Sequence, residues 1–586
     1  MENIEKIRHS LSHIMAEVVL EFYPKTKLGI GPAIENGFYY DFHFSKPLEE
    51  KDLEKIENRM KEIIAENQKF EKEKISKIKA KKLFAEQPYK LELISELKDK
   101  TITTYTNGPA SAKGSGEAKR FTDLCKGPHI KNTKEINPNS FQLTKIAGAY
   151  WKGDEKNKML TRIYGLAFET PEELMAYLKM MEEAEKRDHR KLGRDLKLFT
   201  ISDLIGAGLP LLQPKGMIIR KELEDYLWDL HKNKGYSRVW TPHITKKGLY
   251  ETSGHAAKFG EELFRVKGGD EEFFMKPMNC PHHMQIFCDN QFSYRDMPVR
   301  YFEPATVYRY EKAGQLSGLT RVRAITQDDG HLFCRVSQIS EEVSTIVGII
   351  KTFYTTMNMM EGYWVRLSVR GKDKSMYLGK DEVWKKAEAA LEDAAKENDL
   401  NYKRVEGEAA FYGPKLDFMF KDAIGREWQL ATIQCDFNLP ERFDLSFVNE
   451  KGDKERPVVI HRAISGSLER FMGVMIEHYA GAFPVWLSPV QVAIIPISEK
   501  HIDYAKTVEK NLREKDIRVE LKNENETLGK KIRAAEMQKI PYLLIIGDKE
   551  ISAQSVSVRE RGKGDLGAIR VEEFKEKVIK EIITKK

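Results

Sequence analysis

The chain has 586 residues, enough for several domains that each bury a core of their own. Its 41% hydrophobic and 32% charged residues, with a net charge of +7, describe an ordinary globular protein that is compatible with a polyanionic partner without requiring one. Five cysteines, an odd number spread from 125 to 435, argue against a disulfide framework and fit a reducing, cytoplasmic setting. The N-terminal residues lack the basic-then-apolar layout of a signal peptide. The longest uncharged run, His478 to Ser498, is interrupted by Pro484, Pro489 and Pro496. It is no membrane span and reads as a strand, a linker and a second strand.

In chain order, the apolar spacing predicts a helix over Ile7 to Phe22, stopped by Pro24. That helix puts His9 and His13 on one face. Gly29 to Pro32 and Asn36 to Tyr40 read as turn and strand. Residues 47 to 98 alternate Lys and Glu at helical spacing, the mark of a solvated helix face. Further on, Asp123-Leu124-Cys125-Lys126-Gly127-Pro128-His129 sets a cysteine and a histidine four apart, a second pair of metal-type ligands. A lone pair of this kind usually packs or caps locally; two pairs within one segment favour a site. Residues 171 to 195 predict one linking helix, with Pro171 and acids at its start and bases at its end.

The block from 196 to about 487 holds the densest chemistry. Cys280 and His331 are soft ligands bracketing Arg309, Arg321 and Arg323. A thiolate with an imidazole suits zinc, and convergent arginines suit phosphate. From 488 to 586 short apolar strands, such as Tyr542 to Ile546, alternate with amphipathic helices and predict a small α/β sheet with helices on both sides. Lys530, Lys531, Lys549, Arg559 and Arg561 are expected to give it a basic surface. Cys288, Cys334 and Cys435 are expected to be packing residues.

These residues carry a resemblance. His9-x-x-x-His13 with Cys125-x-x-x-His129 resembles the editing domain shared by threonyl- and alanyl-tRNA synthetases. Asn36 to Asp41 and Ala147 to Trp151 look like the threonyl version. Gly235 to Pro242 resembles the first signature of class II aminoacyl-tRNA synthetases, Arg309-Tyr310-Glu311 with Arg321 the second, and Gly466 to Arg470 the third. His461 then supplies a third ligand beside Cys280 and His331, leaving an open position. That set within a class II core resembles the threonyl-tRNA synthetase family, and the resemblance covers essentially the whole chain.

The resemblance implies an α+β multidomain protein. Its parts would be an editing domain over 1–170, a linker helix over 171–195, an antiparallel-sheet catalytic domain over 196–487 and an α/β anticodon-binding domain over 488–586. The chain looks like the form that starts directly at the editing domain, without the small extra domain that many relatives place in front. Expected is ligation of L-threonine to tRNA(Thr) through threonyl-adenylate, with hydrolysis of mischarged seryl-tRNA. Zinc would sit on Cys280, His331 and His461, and magnesium would accompany ATP. Arg309, Glu311, Arg321, Gln429, Thr432, Ser467 and Arg470 would bind ATP. Met278, Gln327, Asp329, Tyr412 and Gln434 would bind threonine. Arg309 and His255 would be catalytic, His9, His13, Asp123, Cys125 and His129 would edit, and Pro242 would lie at a homodimer interface. Whether the editing residues hold a metal is left open.

Two positions depart from the family pattern. His282 stands where glycine is usual, and Ile325 where an adenine-stacking phenylalanine is usual. An aliphatic face still buries the base but forfeits stacking of about 0.5–1.5 kcal/mol, so ATP binding is expected to be intact, with room for a loss of that size. Rival readings fit less of the chain. A synthetase-like RNA-binding regulator would be expected to lose Arg309, Arg470 or a zinc ligand. A stand-alone metallohydrolase would not need residues 196 to 586. A serine or proline synthetase would not need the Cys280, His331 and His461 set beside this editing domain.

Overall fold

The computed structural model describes residues 2–108 and 120–586, which divide into two compact units, Met1–Glu182 and Glu183–Lys586.

In the first unit the predicted helix is α1 (Glu2–Phe22), whose Leu11, Ile14, Met15, Val18 and Val19 are wholly buried. They pack against Phe38, Tyr40 and Phe42 of β1 (Gly37–His43), and Leu53, Ile56, Met60 and Ile63 of α2 (Glu50–Ala65) join the same core. The Lys/Glu stretch is not helical throughout. Glu71–Ser76 is a strand, β2, paired antiparallel with β3 (Thr101–Asn107), which continues to β4 (Phe121–Leu124). Charges alternating one by one suit a strand with one solvated face as well as a helix, and here cross-strand pairing decides. A second sheet joins β1 to β5 (Phe141–Tyr150) through β6 (Met159–Ala167).

The expected linking helix is two helices, α3 (Pro171–Lys186) and α4 (His189–Asp195). Asp188 interrupts it, because its side chain accepts from the Arg190 amide and caps a new helix.

The second unit is built on an eight-stranded sheet. Ahead of it runs α5 (Pro214–Lys232). The remaining elements are β7 (Tyr236–Arg238), α6 (Cys280–Cys288), β8 (Val299–Tyr308), β9 (Ala324–Cys334), α7 (Ile339–Thr356), β10 (Trp364–Val369), β11 (Tyr402–Glu406), β12 (Lys415–Lys421), β13 (Glu427–Asp436), β14 (Val458–Ala463) and α8 (Leu468–His478). The sheet order is β7-β8-β9-β14-β13-β12-β10-β11, antiparallel except for the two edge pairs. Strand alternation sorts its side chains. Leu332, Cys334, Ile460, Ile433 and Cys435 share a core with Val343, Ile346 and Phe353 of α7, while Phe333 and Val459 pack with Cys280 on the opposite face.

The same unit ends in a five-stranded sheet in which β15 (Val492–Pro496), β16 (Val519–Leu521) and β17 (Tyr542–Ile546) run parallel and β18 (Ser555–Glu560) and β19 (Gly564–Arg570) antiparallel. The uncharged run from His478 to Ser498 contributes one strand, not two; its prolines keep the segment before Val492 irregular. Lys531 and Arg561 do not belong to the expected basic surface. Lys531 is buried, and Arg561 donates to the carbonyls of Ala482 and Phe483. Cys334 and Cys435 are core residues as expected, whereas Cys288 is exposed. Among the described residues no helix is long and apolar enough to cross a membrane.

Candidate functional site

Register brings the soft ligands of the second unit together. His331 on β9 pairs directly with His461 on β14, which pairs in turn with Gln434 on β13. Cys280 enters from the first turn of α6. Cys280, His331 and His461 are buried, and their ligand atoms lie within 4.8 Å of one another.

The surroundings decide which ring nitrogens face the centre. His283 Nδ1 lies 2.8 Å from His331 Nδ1, and His283 Nε2 lies 3.0 Å from Glu303 Oε2. His283 Nε2 also lies 2.9 Å from Asn279 Nδ2; the tautomer in which Nε2–H donates to the Glu303 carboxylate and Nδ1 accepts from His331 Nδ1–H is the one that leaves His331 Nε2 free for an ion. His461 Nε2 likewise donates to Asp436 Oδ2 at 3.0 Å. That leaves His331 Nε2, His461 Nδ1 and the Cys280 sulfur as bare donors. Burial holds His331 uncharged and pushes the Cys280 thiol up. One sulfur and two imidazoles anchored by outer partners fit a zinc ion.

Beside this centre lies a cavity of about 350 Å³. All seven residues expected to bind ATP line it, as do Met278, Gln327, Gln434 and Ile325. Arg309 is anchored by Met278 Sδ at 2.7 Å and lies 5.0 Å over the Phe259 ring. Arg321 pairs with Glu311 at 2.8 Å, so Glu311 is already charge-compensated. Arg470 Nε donates to Thr320 O at 3.0 Å, and Ser467 caps α8 through the Arg470 amide. Gln429 and Thr432 each donate to Asp417 Oδ1, at 2.8 and 3.0 Å. Two buried oxygens, Gln327 Oε1 and Asp329 Oδ2, have no partner; Asp329 is on the same strand face as His331, with Oδ2 3.9 Å from the outer nitrogen Nδ1 of that ring. Tyr412 donates to Gln434 Oε1 at 2.6 Å and its ring lies 5.0 Å from that of His461. His255 sits at this centre too, with Nε2 3.5 Å from Cys280 Sγ and Nδ1 2.8 Å from Ser253 Oγ. Burial lowers its pKa to about 3, keeping it a neutral acceptor. Pro242 is exposed beside Trp240 and Ile244, which are 73% and 46% exposed.

Several functional residues escape sequence reasoning. Asp328 is buried and accepts from the amides of Ile464, Ser465 and Gly466 at 2.7–3.1 Å. It shapes the turn into α8, where Gly466 has φ +75° and a Cβ would lie 2.7 Å from Leu430 O. Asp417, Glu303 and His283 are further anchors. A neighbouring acid pair is the only signal for Asp328; His283 is the histidine the resemblance leads one to expect beside His282, and nothing marks Asp417 or Glu303.

The first unit assembles the other predicted set. Cys125 Sγ lies 3.2 Å from His9 Nε2 and 3.2 Å from His129 Nε2, and the four ligand atoms of His9, His13, Cys125 and His129 also fall within 4.8 Å of one another. His9 Nδ1–H donates to Pro128 O at 3.2 Å, which aims Nε2 at the sulfur. Burial pushes the Cys125 thiol up to about 11 and lowers His9, His13 and His129. Asp123 lies 3.8 Å from His13 and is held by Lys90 at 2.5 Å and by the Tyr40 hydroxyl at 2.6 Å. Tyr40 belongs to the Asn36 to Asp41 motif that carried the resemblance, whereas Lys90 has no sequence signal, since a distant lysine on a solvated-looking helix reads as surface.

An antiparallel sheet with arginines over a nucleotide-sized cavity defines a class II aminoacyl-tRNA synthetase core. Residues 264–479 match the tRNA synthetase class II core domain (G, H, P, S and T). Residues 491–581 match the anticodon binding domain, and 102–164 the threonyl and alanyl tRNA synthetase second additional domain. The chain is 50% identical over 98% of its length to a threonine–tRNA ligase of Porphyromonas gingivalis, covering 87% of that protein. It is 47% identical over 98% of its length to one of Gloeobacter violaceus, covering 91%. The chain belongs to the threonine–tRNA ligase family. Among solved structures it resembles the RNA binding domain of threonyl-tRNA synthetase from Cryptosporidium parvum, with TM-score 0.64 and 36% identity over 67% of this chain and 98% of that one. It also shares its fold with a prolyl-tRNA synthetase of the same organism at 19% identity and TM-score 0.52, over 68% of this chain and 75% of that one.

Proposed function

We propose that the buried centre and adjoining cavity of the second unit activate L-threonine with ATP, and that the cluster of the first unit hydrolyses mischarged seryl-tRNA(Thr). The overall reaction is ATP-dependent ligation of L-threonine to tRNA(Thr) through threonyl-adenylate. The observation that carries the site assignment is the convergence of Cys280, His331 and His461 beside an arginine-lined cavity.

The threonine carboxylate attacks the α-phosphate and displaces pyrophosphate by breaking the α–β bond of ATP, a step governed by positioning and charge neutralisation. Arg309, fixed by Met278, meets the α-phosphate, while Arg321 and Arg470 hold the far phosphates of magnesium–ATP with fork-shaped contacts. Cys280, His331 and His461 would hold a zinc ion, which would supply a Lewis-acid site for the amine and hydroxyl of threonine. Asp329, with its unpartnered oxygen, accepts from that hydroxyl, and Gln327, Tyr412 and Gln434 orient the amine and carboxylate. Valine cannot satisfy Asp329, whereas serine lacks only a methyl group, worth about 1–3 kcal/mol. A second hydrolytic site is therefore required. There Cys125, His9, His13 and His129 surround the position of an attacking water and Asp123 orients His13. His255 is the candidate proton acceptor of the transfer step, a role that its pKa of about 3 opposes and that would require the bound tRNA ribose to raise it. The exposed face at Trp240, Pro242 and Ile244 receives a second copy of the chain.

ATP–pyrophosphate exchange measured with each amino acid, with and without a zinc chelator, tests the reading. Exchange is expected with threonine, weaker with serine, absent with valine and lost on chelation. Exchange driven by an amino acid without a β-hydroxyl would refute it.

A further inference from the structure

We infer that His189 is a positioning residue for ATP, acting through the backbone of the loop that carries Arg321; this rests on the reading of the cavity as the ATP site. His189 opens α4, far in sequence from any residue assigned above, and is 3% exposed. Its Nε2 lies 3.0 Å from the backbone nitrogen of Leu319. An amide nitrogen only donates, so Nε2 is bare and the proton sits on Nδ1. That Nδ1–H donates to Glu477 Oε1 at 2.6 Å, and the backbone N–H of His189 donates to the same oxygen at 3.1 Å. Glu477 Oε2 pairs with Arg426, which also reaches Asp422. The tautomer is thus fixed from both ends.

Asp188, His189 and Glu477 come close enough to suit a metal, but each is already committed. Asp188 caps α4, both imidazole nitrogens are engaged, and Glu477 is shared between His189 and Arg426. The group is a clamp on a loop.

The loop it grips leads directly to the cavity. Leu319 is wholly buried; the next carbonyl, Thr320 O, accepts from Arg470 Nε at 3.0 Å, and the next residue is Arg321. A chain of contacts therefore runs Glu477, His189, Leu319, Thr320, Arg470. The fit leaves no slack. A Cβ on Gly318, at φ +47°, would lie 2.1 Å from His189 Nε2, and one on Gly473 would lie 3.1 Å from Thr320 Cγ2. Without His189 the buried Leu319 amide loses its acceptor, and the turn bearing Thr320 and Arg321 keeps only the Arg470–Thr320 bond to α8.

Steady-state ATP–pyrophosphate exchange on the full chain tests this with His189→Ala, His189→Gln and Gly318→Ala. His189→Ala should raise KM for ATP by about tenfold while KM for threonine stays within about twofold. His189→Gln, whose amide oxygen can accept from Leu319, should recover most of the loss. Gly318→Ala, which pushes the loop off an intact imidazole, should reproduce the defect. Hydrolysis of seryl-tRNA by the same proteins should be unchanged. Wild-type exchange with threonine alongside a His189→Ala enzyme of unchanged KM for ATP would overturn the role of His189 and leave the proposed function standing. Equal losses for ATP, threonine and seryl-tRNA, with no recovery in the glutamine variant, would reduce His189 to general packing and overturn it too.

Discussion

His331 and His461 face each other across two antiparallel strands, directly paired in register, with ring centroids 4.7 Å apart. Each ring turns its outer nitrogen to a different anchor, His331 to His283 and Glu303, and His461 to Asp436. The ligands are therefore oriented before any ion arrives, which lowers the reorganisation that binding requires.

The anchors should be measurable apart from the ligands. Asp436→Asn or Glu303→Gln leaves all three ligands in place but removes the group that fixes a tautomer. Zinc affinity, followed by competition with a chelator, should fall about 10- to 100-fold. Retention equal to wild type in both variants would mean the outer partners are structural only.

Asp329 should separate threonine recognition from nucleotide binding. Its unpartnered Oδ2 is buried on the same strand face as His331, where burial raises its pKa above the ordinary carboxylate range. Asp329→Asn should lower kcat/KM for threonine by about 10- to 100-fold, the worth of a hydrogen bond to a charged group, with KM for ATP unaltered. A parallel rise in KM for ATP would place Asp329 in the wrong subsite.

Much of this site was legible because ligand chemistry is local: cysteine, histidine and arginine announce their partners by type, and three short signatures gave the order. What pairing decides was not legible. Asp328 and Asp329 are neighbours, yet strand alternation sends one to brace the turn into α8 and the other to the substrate. Lys90 reads as one more base in a charged stretch, and only the fold carries it to within 2.5 Å of Asp123. The Lys/Glu stretch misled for a related reason: charge alternation carries no hydrophobic face to choose between a period of 3.6 and a period of 2.

The two clusters to which we assign charging and editing lie in separate compact units, so the two activities should separate genetically. Cys125→Ala removes the sulfur between His9 and His129 and leaves the second unit untouched. Threonylation rates should match wild type while seryl-tRNA(Thr) accumulates in reactions supplied with serine. Clearance of seryl-tRNA at the wild-type rate would remove the editing role of this cluster.

Glu17, one turn beyond His13 on α1, makes the first unit sensitive to pH. Burial raises its carboxyl to about 7, opposed by hydrogen bonds from Gln68 at 3.2 Å and Asn107 at 2.6 Å. Between its ordinary value near 4.5 and 7 the folded chain keeps a proton that the unfolded chain has released. The folded state then binds more protons, so stability falls as pH rises through that window. Below it both states are protonated, and above it both are ionised with the full penalty in place. The loss should reach at most about 3 kcal/mol. Glu17→Gln cannot ionise; its one oxygen accepts from Gln68, and its amide nitrogen takes the place of the oxygen facing Asn107, whose partnerless Oδ1 can turn to accept from it. Denaturant midpoints read from hydrogen exchange in α1 should decline from pH 5 to pH 8 for wild type more steeply than for the variant, which should be the more stable protein at pH 8. Parallel curves for the two proteins would show that Glu17 ionises as freely in the folded chain as in the unfolded one.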